Sequence, residues 1–139
     1  MAASPQFAST PEFNFVTVNN TSPAARTSAA TNSFRLIVGV TASGFSGTKI
    51  TQIGAKCVSS NPAGMVFIYV TDNTGSSASA YIYDELQFTA TSLSTTSPTA
   101  RVINTYTDLQ LSPGQSIFVS SSINASTQSF NVWASGGDF

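Results

Sequence analysis

The feature that most constrains this chain is a repeated alternation of short apolar segments and turn-forming residues from Phe34 to Phe139. Segments such as Phe34–Val40 and Ala80–Ala90 carry apolar residues at every second position, the period of a β-strand with one buried face. Met65–Val70 is apolar at both sets of alternate positions, which indicates a central strand. The other predicted strands are Thr48–Ser59 (with a bulge near Gln52), Arg101–Leu109, Ser116–Ile123 and Phe130–Ala134.

These segments predict an all-β fold, because no window shows the 3.6-residue period of an amphipathic helix. About eight short strands with regular turn signals are typical of a sandwich of two sheets, and we expect a single jelly-roll-like β-sandwich. Residues 1–33 differ, being rich in Ala, Ser, Thr, Asn and Pro, with one possible short strand at Phe13–Val18. We therefore expect an extended N-terminal arm or linker over 1–33, held by a neighbouring chain, and a sandwich domain over 34–139.

Composition narrows the class of function. Only 8% of the residues are charged and none is His, whereas 41 of the 139 are Ser or Thr. A typical soluble domain is about 25% charged. A neutral, hydroxyl-rich surface can be packed against other subunits without stripping water from ions, which costs several kcal/mol per unpaired charge. We expect a protein that is not an enzyme, with no catalytic residue, no metal site and no cofactor.

The distribution of basic residues argues against a nucleic-acid partner, and the hydropathy argues against a membrane-spanning segment. Nucleic-acid binding needs clustered Lys and Arg, and the five basic residues are scattered along the chain. No run of 18 apolar residues occurs, so we expect no membrane-spanning helix. The start of the chain also lacks the basic and apolar regions of a secretory signal.

Three residues are candidates for chemistry. Cys57 could be a reactive thiol, but it alternates with apolar residues and is better interpreted as a buried strand residue. Asp84 and Glu85 are the only adjacent carboxylates, and consecutive strand residues point to opposite faces, unlike the paired acids of a glycosidase. The alternative is one exposed acid and one acid paired with a basic residue such as Arg101.

The aromatic residues allow two interpretations. Tyr69, Tyr81, Tyr83, Tyr106 and Trp133 could form a platform for sugar, but aromatic residues at strand spacing more often line a core or a subunit contact. The C-terminal Gly136-Gly-Asp-Phe139 follows a predicted strand and is either a frayed end or a latch onto a neighbouring subunit.

Five sequence segments, in this order along the chain, resemble segments of small virion proteins of tailed bacteriophages. They are Thr48–Cys57 (TKITQIGAKC), Pro62–Val70 (PAGMVFIYV), Tyr83–Leu86 (YDEL), Leu111–Gln115 (LSPGQ) and Asn131–Phe139 (NVWASGGDF). The last, with its terminal Gly-Gly-Asp and an apolar residue, is the most distinctive. Together they span about two-thirds of the chain, and residues 1–33 lie outside the resemblance.

The resemblance implies a β-sandwich component of the virion, most plausibly a decoration or cement protein on the outer surface of the head. The expected partners are the major capsid protein and copies of the chain itself, with a trimer favoured. The alternative is a receptor-binding or carbohydrate-binding domain at the tip of a tail fibre.

For the interface we expect aromatic anchors, because aromatic side chains dominate binding hot spots. If the N-terminal arm anchors the protein, removal of residues 1–18 should leave the sandwich folded but abolish attachment. Because the chain has so few charged residues, attachment should depend only weakly on salt. The predicted interface residues are Phe7, Phe13, Phe15, Trp133 and Phe139.

Overall fold

The computed structural model describes residues 10–19, 24, 33–39, 44–72, 80–124 and 129–139, and the structural statements below refer to these residues. The described part of the chain contains nine β-strands and no helix, so the all-β prediction is confirmed. The strands are β1 (Thr10–Val18), β2 (Phe34–Val38), β3 (Thr48–Cys57), β4 (Gly64–Thr71), β5 (Ala80–Phe88), β6 (Arg101–Thr105), β7 (Gln110–Leu111), β8 (Ser116–Ser121) and β9 (Phe130–Asp138).

The strands form two antiparallel sheets with the winding of a jelly roll. The larger sheet has the order β1-β9-β3-β6, with the short β7 also pairing with β3, and the smaller sheet has the order β2-β8-β4-β5. If β6 and β7 are taken as one interrupted strand, successive strands alternate between the sheets everywhere except at β4 and β5. This is the arrangement of two Greek keys that defines a jelly roll, and the predicted sandwich is confirmed.

The core lies between the two sheets and is built from alternate residues of each strand. In β9 the side chains of Phe130, Val132 and Ala134 are buried, whereas Asn131 is exposed. The rings of Phe88 on β5 and Phe130 on β9 lie 5.0 Å apart between their centroids and join the sheets across the core. In β9, alternate side chains therefore point into the core, and the side chains between them point to the other side of the sheet.

Strand β4 is central, as its continuous apolar run predicts. It lies between β8 and β5, with Val66 and Ile68 in the main core. Phe67 and Tyr69 point to the other side of the smaller sheet, where they are buried in a second apolar cluster with Phe118. Strand β4 is thus buried on both of its faces, which explains why the run does not alternate.

Strand β1, inside the predicted arm, belongs to the sandwich. All nine of its residues pair with β9, from Thr10 opposite Asp138 to Val18 opposite Phe130. The side chain of Val18 is fully buried in the core. The first strand of the jelly roll therefore precedes the boundary predicted at residue 33. The structure argues against the expectation that residues 1–18 can be removed without loss of the fold, because their removal would expose the edge of β9 and leave a gap in the core.

The C-terminal residues continue the ladder of β9 beyond the predicted strand end at Ala134. The amide of Phe139 donates a hydrogen bond to the carbonyl of Gly47 (3.1 Å), and the amide of Ser46 donates to the carbonyl of Phe139 (2.6 Å). Of the two interpretations of this segment, the frayed end is wrong, because backbone partners within the same chain hold these residues.

Close packing of backbones at this end of the larger sheet requires small residues. Gly136 lies so near the carbonyl oxygen of Lys49 that a Cβ atom at this position would collide with it. Two residues further on, Asp138 is buried and its Oδ1 accepts a hydrogen bond of 2.6 Å from the Thr48 hydroxyl. The Gly-Gly-Asp sequence therefore suits strand pairing at the end of the sheet.

Candidate interaction face

One side of the larger sheet points away from the core and carries an apolar row across four strands. Phe15 lies opposite Trp133, Trp133 opposite Gly54, and Gly54 opposite Ile103. Directly opposite residues of antiparallel strands point to the same side of the sheet. We call this side of the larger sheet the outer sheet face. Its four rows are Thr17–Asn131–Lys56–Arg101, Phe15–Trp133–Gly54–Ile103, Phe13–Ser135–Gln52–Thr105 and Pro11–Gly137–Lys49–Gln110.

The apolar side chains of the outer sheet face are exposed to solvent. Phe13 is 63% exposed and Phe15 is 74% exposed, whereas Val18 on the other side of β1 is completely buried. Ile103, at the opposite edge, is 37% exposed. Single exposed apolar residues are normal, but a cluster of large ones marks an interaction site.

Gly54 determines how Trp133 lies on the sheet. A Cβ atom at position 54 would collide with the six-membered ring of the indole and would lie 3.1 Å from the Cγ1 atom of Ile103. The absence of a side chain therefore lets the indole lie over the backbone of β3, half-buried between its neighbours. Gly54 and Ile103 belong to this site although the sequence analysis did not identify them. The signal that could have found Gly54 is a lone glycine inside a strand pattern.

Basic residues gather on this same face. Lys56 on β3 lies directly opposite Arg101 on β6, in the row next to Phe15 and Trp133. Lys49 lies at the other end of the face, in the row of Gly137 and Gln110. The basic residues are scattered along the sequence, but sheet pairing brings three of the five to one surface.

The acidic residues of the described part lie elsewhere. Glu12 alternates with Phe13 and points inward, where burial and, secondly, the charge of Asp138 raise the pKa of its carboxyl group. Glu85 lies opposite Phe67 on the smaller sheet. Asp108 raises the pKa of Tyr83, a residue of β5, which places its charge beside the β5 edge. None of these carboxylates belongs to the rows of the outer sheet face.

The structure brings three of the five predicted interface residues together. Phe13, Phe15 and Trp133 occupy adjacent rows of the outer sheet face. By the alternation of β9, Phe139 lies on the same side of the sheet, with its ring against Gly47. Six residues of strand, roughly 20 Å, separate it from Trp133. Phe7 lies outside the described residues.

Asp84 has a structural role at the opposite edge of the sandwich. Its Oδ2 atom accepts hydrogen bonds from the side-chain amide of Asn104 and the hydroxyl of Tyr106, both 2.7 Å long. Its Oδ1 atom accepts a bond of 2.8 Å from the amide of Glu85. These bonds connect β5 of the smaller sheet to β6 and the residue that follows it. The partners of Asp84 are therefore neutral groups, so Asp84 is not the acid of this pair that contacts a basic residue such as Arg101.

The electrostatics of this cluster agree with its geometry. Burial by itself would raise the pKa of Asp84, but the hydrogen bonds from Tyr106, Asn104 and the Glu85 amide outweigh it, and the net pKa is lowered. Burial and the accepting carboxylate both raise the pKa of Tyr106. The pair is thus a stable charged acceptor and a neutral donor, and neither group is poised to transfer a proton near neutral pH.

The remaining candidates from the sequence are Cys57 and the five aromatic residues. Cys57 is fully buried, as predicted, and burial raises the pKa of its thiol to about 11. A thiol with this pKa is a poor nucleophile. The five aromatic residues considered as a sugar platform do not share a surface: Tyr69 is buried on the smaller sheet, Tyr83 contacts Tyr106 at the β5 edge, and Trp133 lies on the larger sheet.

The described residues present neither a metal-binding cluster nor a membrane-spanning helix. They contain no group of three or more His, Cys, Asp or Glu side chains that could hold a metal ion. In the same part of the chain, no helix is long and apolar enough to cross a membrane.

Comparison of the chain with protein-family models, curated proteins and solved structures found no match.

The packing of Trp133 over Gly54 predicts a spectroscopic change. Replacing Gly54 by Val should displace the indole towards water, because the new side chain takes its place, while a β-branched residue suits the strand. Emission from the single tryptophan should shift to longer wavelength and become easier to quench with acrylamide. Ser135→Ala, on the same face, is the control and should leave emission unchanged. An unshifted spectrum from folded Gly54→Val would contradict this packing.

The lowered pKa of Asp84 predicts a pH-dependent contribution to stability. Asp84→Asn should lower the free energy of unfolding by about 1 kcal/mol at pH 7, because hydrogen bonds to a charged acceptor are lost at a half-exposed site. Since the folded pKa lies below the ordinary 3.8, this contribution is complete above pH 3.8 and declines as the pH falls through the folded value. Denaturant titrations should show the two proteins converging below pH 3.8. Asp108→Asn removes a charge without these bonds and should have a smaller effect, and a pH-independent difference for Asp84→Asn would refute the assignment.

Proposed function

We propose that the protein is a non-enzymatic structural component of a tailed-phage virion, a decoration or cement protein that attaches to the outer surface of the assembled head through its outer sheet face. The observation that carries the proposal is the cluster of Phe13, Phe15 and Trp133, together with Ile103, on the outward side of the larger sheet. Three of these residues were predicted as interface residues from the sequence. The resemblance of Thr48–Phe139 to small virion proteins supports the same conclusion, whereas the jelly-roll fold alone is compatible with many functions.

The energetics of this face suit binding to a repeated surface. Burial of an exposed Phe side chain is worth about 2 kcal/mol, and association costs at least about 4 kcal/mol in lost translational and rotational freedom. Four apolar side chains therefore yield only a moderate affinity for one site. A homo-oligomer such as the expected trimer would engage several sites at once and gain affinity through avidity.

A cement protein acts by mass action. It binds the assembled shell and not the separate capsid subunits, so the free energy of binding adds to the stability of the shell. Such a role requires a stable scaffold and a contact surface, and no reacting group. The hydrogen-bonded Asp84 and the buried Cys57 fit this role, because the first is satisfied within the fold and the second is shielded from solvent.

Carbohydrate binding is the second candidate, and one observation favours it. The indole of Trp133 lies over the sheet with Phe15 in the same row and the amide side chains of Gln52 and Asn131 in the rows beside it. Flat aromatic surfaces bordered by amides are suited to stacking against sugar rings. In this alternative the same face would belong to a receptor-binding domain of a tail fibre.

The proposed function is tested by removing the two most exposed aromatic rings of the face. Phe13→Ser/Phe15→Ser should weaken binding to isolated heads of the phage that encodes the chain by at least roughly thirtyfold, through the loss of about 2 kcal/mol or more of apolar burial. Co-sedimentation of the labelled protein with heads measures this. The folded state should persist, because both side chains project into solvent.

Leu93→Ser/Tyr81→Ser is the matched control, since Leu93 and Tyr81 are 62% and 71% exposed at positions outside the outer sheet face. Unchanged binding by the Phe13/Phe15 variant would refute the role of the face. If the wild-type protein fails to bind heads but binds a glycan array, and loses that binding in Trp133→Ala, the carbohydrate-binding function replaces the first.

A further inference from the structure

The outer sheet face carries a positive charge that the net charge of the chain conceals. Lys49, Lys56 and Arg101 lie on it, and none of the carboxylates in the described part of the chain shares its rows. The whole chain has five basic and six acidic residues. All six acidic residues lie in the described part of the chain and off these rows, whereas three basic residues lie on them, so the outer sheet face is basic although the net charge of the chain is −1.

The arrangement of these cations is unfavourable for the isolated sheet. Lys56 and Arg101 are direct cross-strand neighbours, and like charges in this position destabilise a sheet. A carboxylate at either position would favour folding. The pair also lies in the row beside Phe15 and Trp133, and Lys49 lies beyond the row of Phe13. Cations therefore border the exposed apolar side chains at both ends.

We infer that the surface which occupies the outer sheet face is a protein surface with an apolar centre and carboxylates at its border. Buried against such a surface, the aromatic side chains would supply affinity, and the three cations would meet opposite charges instead of each other. The inference rests on the proposed function, in which the face docks on the head, and it adds the chemistry of the docking site. Complementary charges at the border of an interface increase the rate of association and select the correct partner.

Two other occupants fit the charges less well. A symmetric face-to-face pair of copies would bring six cations together, and like charges across an interface cost several kcal/mol. A nucleic acid draws most of its affinity from many phosphate contacts, whereas this face offers three cations on a molecule that is otherwise acidic.

The charge of the face changes the expected effect of salt. The low overall charge led us to expect attachment that depends weakly on salt, but the local charge of the contact surface is what salt screens. With a Debye length of about 10 Å at 0.1 M ionic strength, cations at the border of the face act on a partner mainly at low salt. Binding should therefore weaken measurably as salt is raised.

The experiment compares two variants with the same change in net charge. Lys56→Gln/Arg101→Gln removes two positive charges from the outer sheet face. The control Gln87→Glu/Ser92→Glu adds two negative charges at exposed positions outside it. Binding to isolated heads of the phage that encodes the chain is measured by co-sedimentation at 0.05 M and 0.5 M NaCl. A 20-nucleotide oligo-dT and vesicles containing phosphatidylserine are tested in parallel, and sedimentation velocity records self-association.

We expect the face variant to bind heads roughly tenfold more weakly than wild type at 0.05 M NaCl, with a much smaller difference at 0.5 M. The control should bind like wild type. Equal binding by the face variant, with no effect of salt on wild type, would overturn the inference while the proposed function survives. Failure of wild type to bind heads would overturn both. A different result is that wild type binds oligo-dT, binds vesicles or self-associates. If the face variant loses that interaction, the face is assigned to a nucleic acid, a membrane surface or a second copy of the chain, respectively, and the inference is overturned.

Discussion

The pairing of β1 with β9 is the interaction on which the rest of the structure depends. Nine consecutive residue pairs join two segments that are more than a hundred residues apart in the chain. This ladder completes the jelly roll, brings Val18 into the core and places Phe15 beside Trp133. Because β9 also pairs with β3 along its full length, its glycines must allow two neighbouring backbones to approach. The fold and the exposed aromatic cluster therefore have a common origin.

The local features of the fold could be predicted from the sequence because they depend on short-range periodicity. The strands, the bulge near Gln52 and the central position of β4 follow from which residues alternate and which do not. The partner of β1 could not be predicted in this way. Its alternation shows that Phe13 and Phe15 share a side, but the strand that lies beside them is chosen by pairing across the whole chain, whose register no local pattern specifies.

The candidate site was predictable only in part for the same reason. Aromatic residues were recognisable as anchors one by one, whereas the row that contains them exists only in the folded sheet. Gly54 looks like an interruption of a strand until Trp133 is placed over it. Lys56 and Arg101 are 45 positions apart in sequence but directly opposite in the sheet, so a basic surface formed without any basic cluster in the sequence. Asp84 is the opposite case. In the sequence it is a candidate catalytic acid beside Glu85, but in the fold it accepts hydrogen bonds from the neutral side chains of Asn104 and Tyr106 at the adjacent sheet edge.

The most direct test of this account is a cryo-electron microscopy reconstruction of heads with the protein bound. The account requires the larger sheet to face the shell, with the side chains of Phe13, Phe15 and Trp133 in contact with it and the smaller sheet turned outward. A reconstruction in which the smaller sheet or the β5 edge makes the contact, with the aromatic rings of β1 and β9 left in solvent, would contradict it.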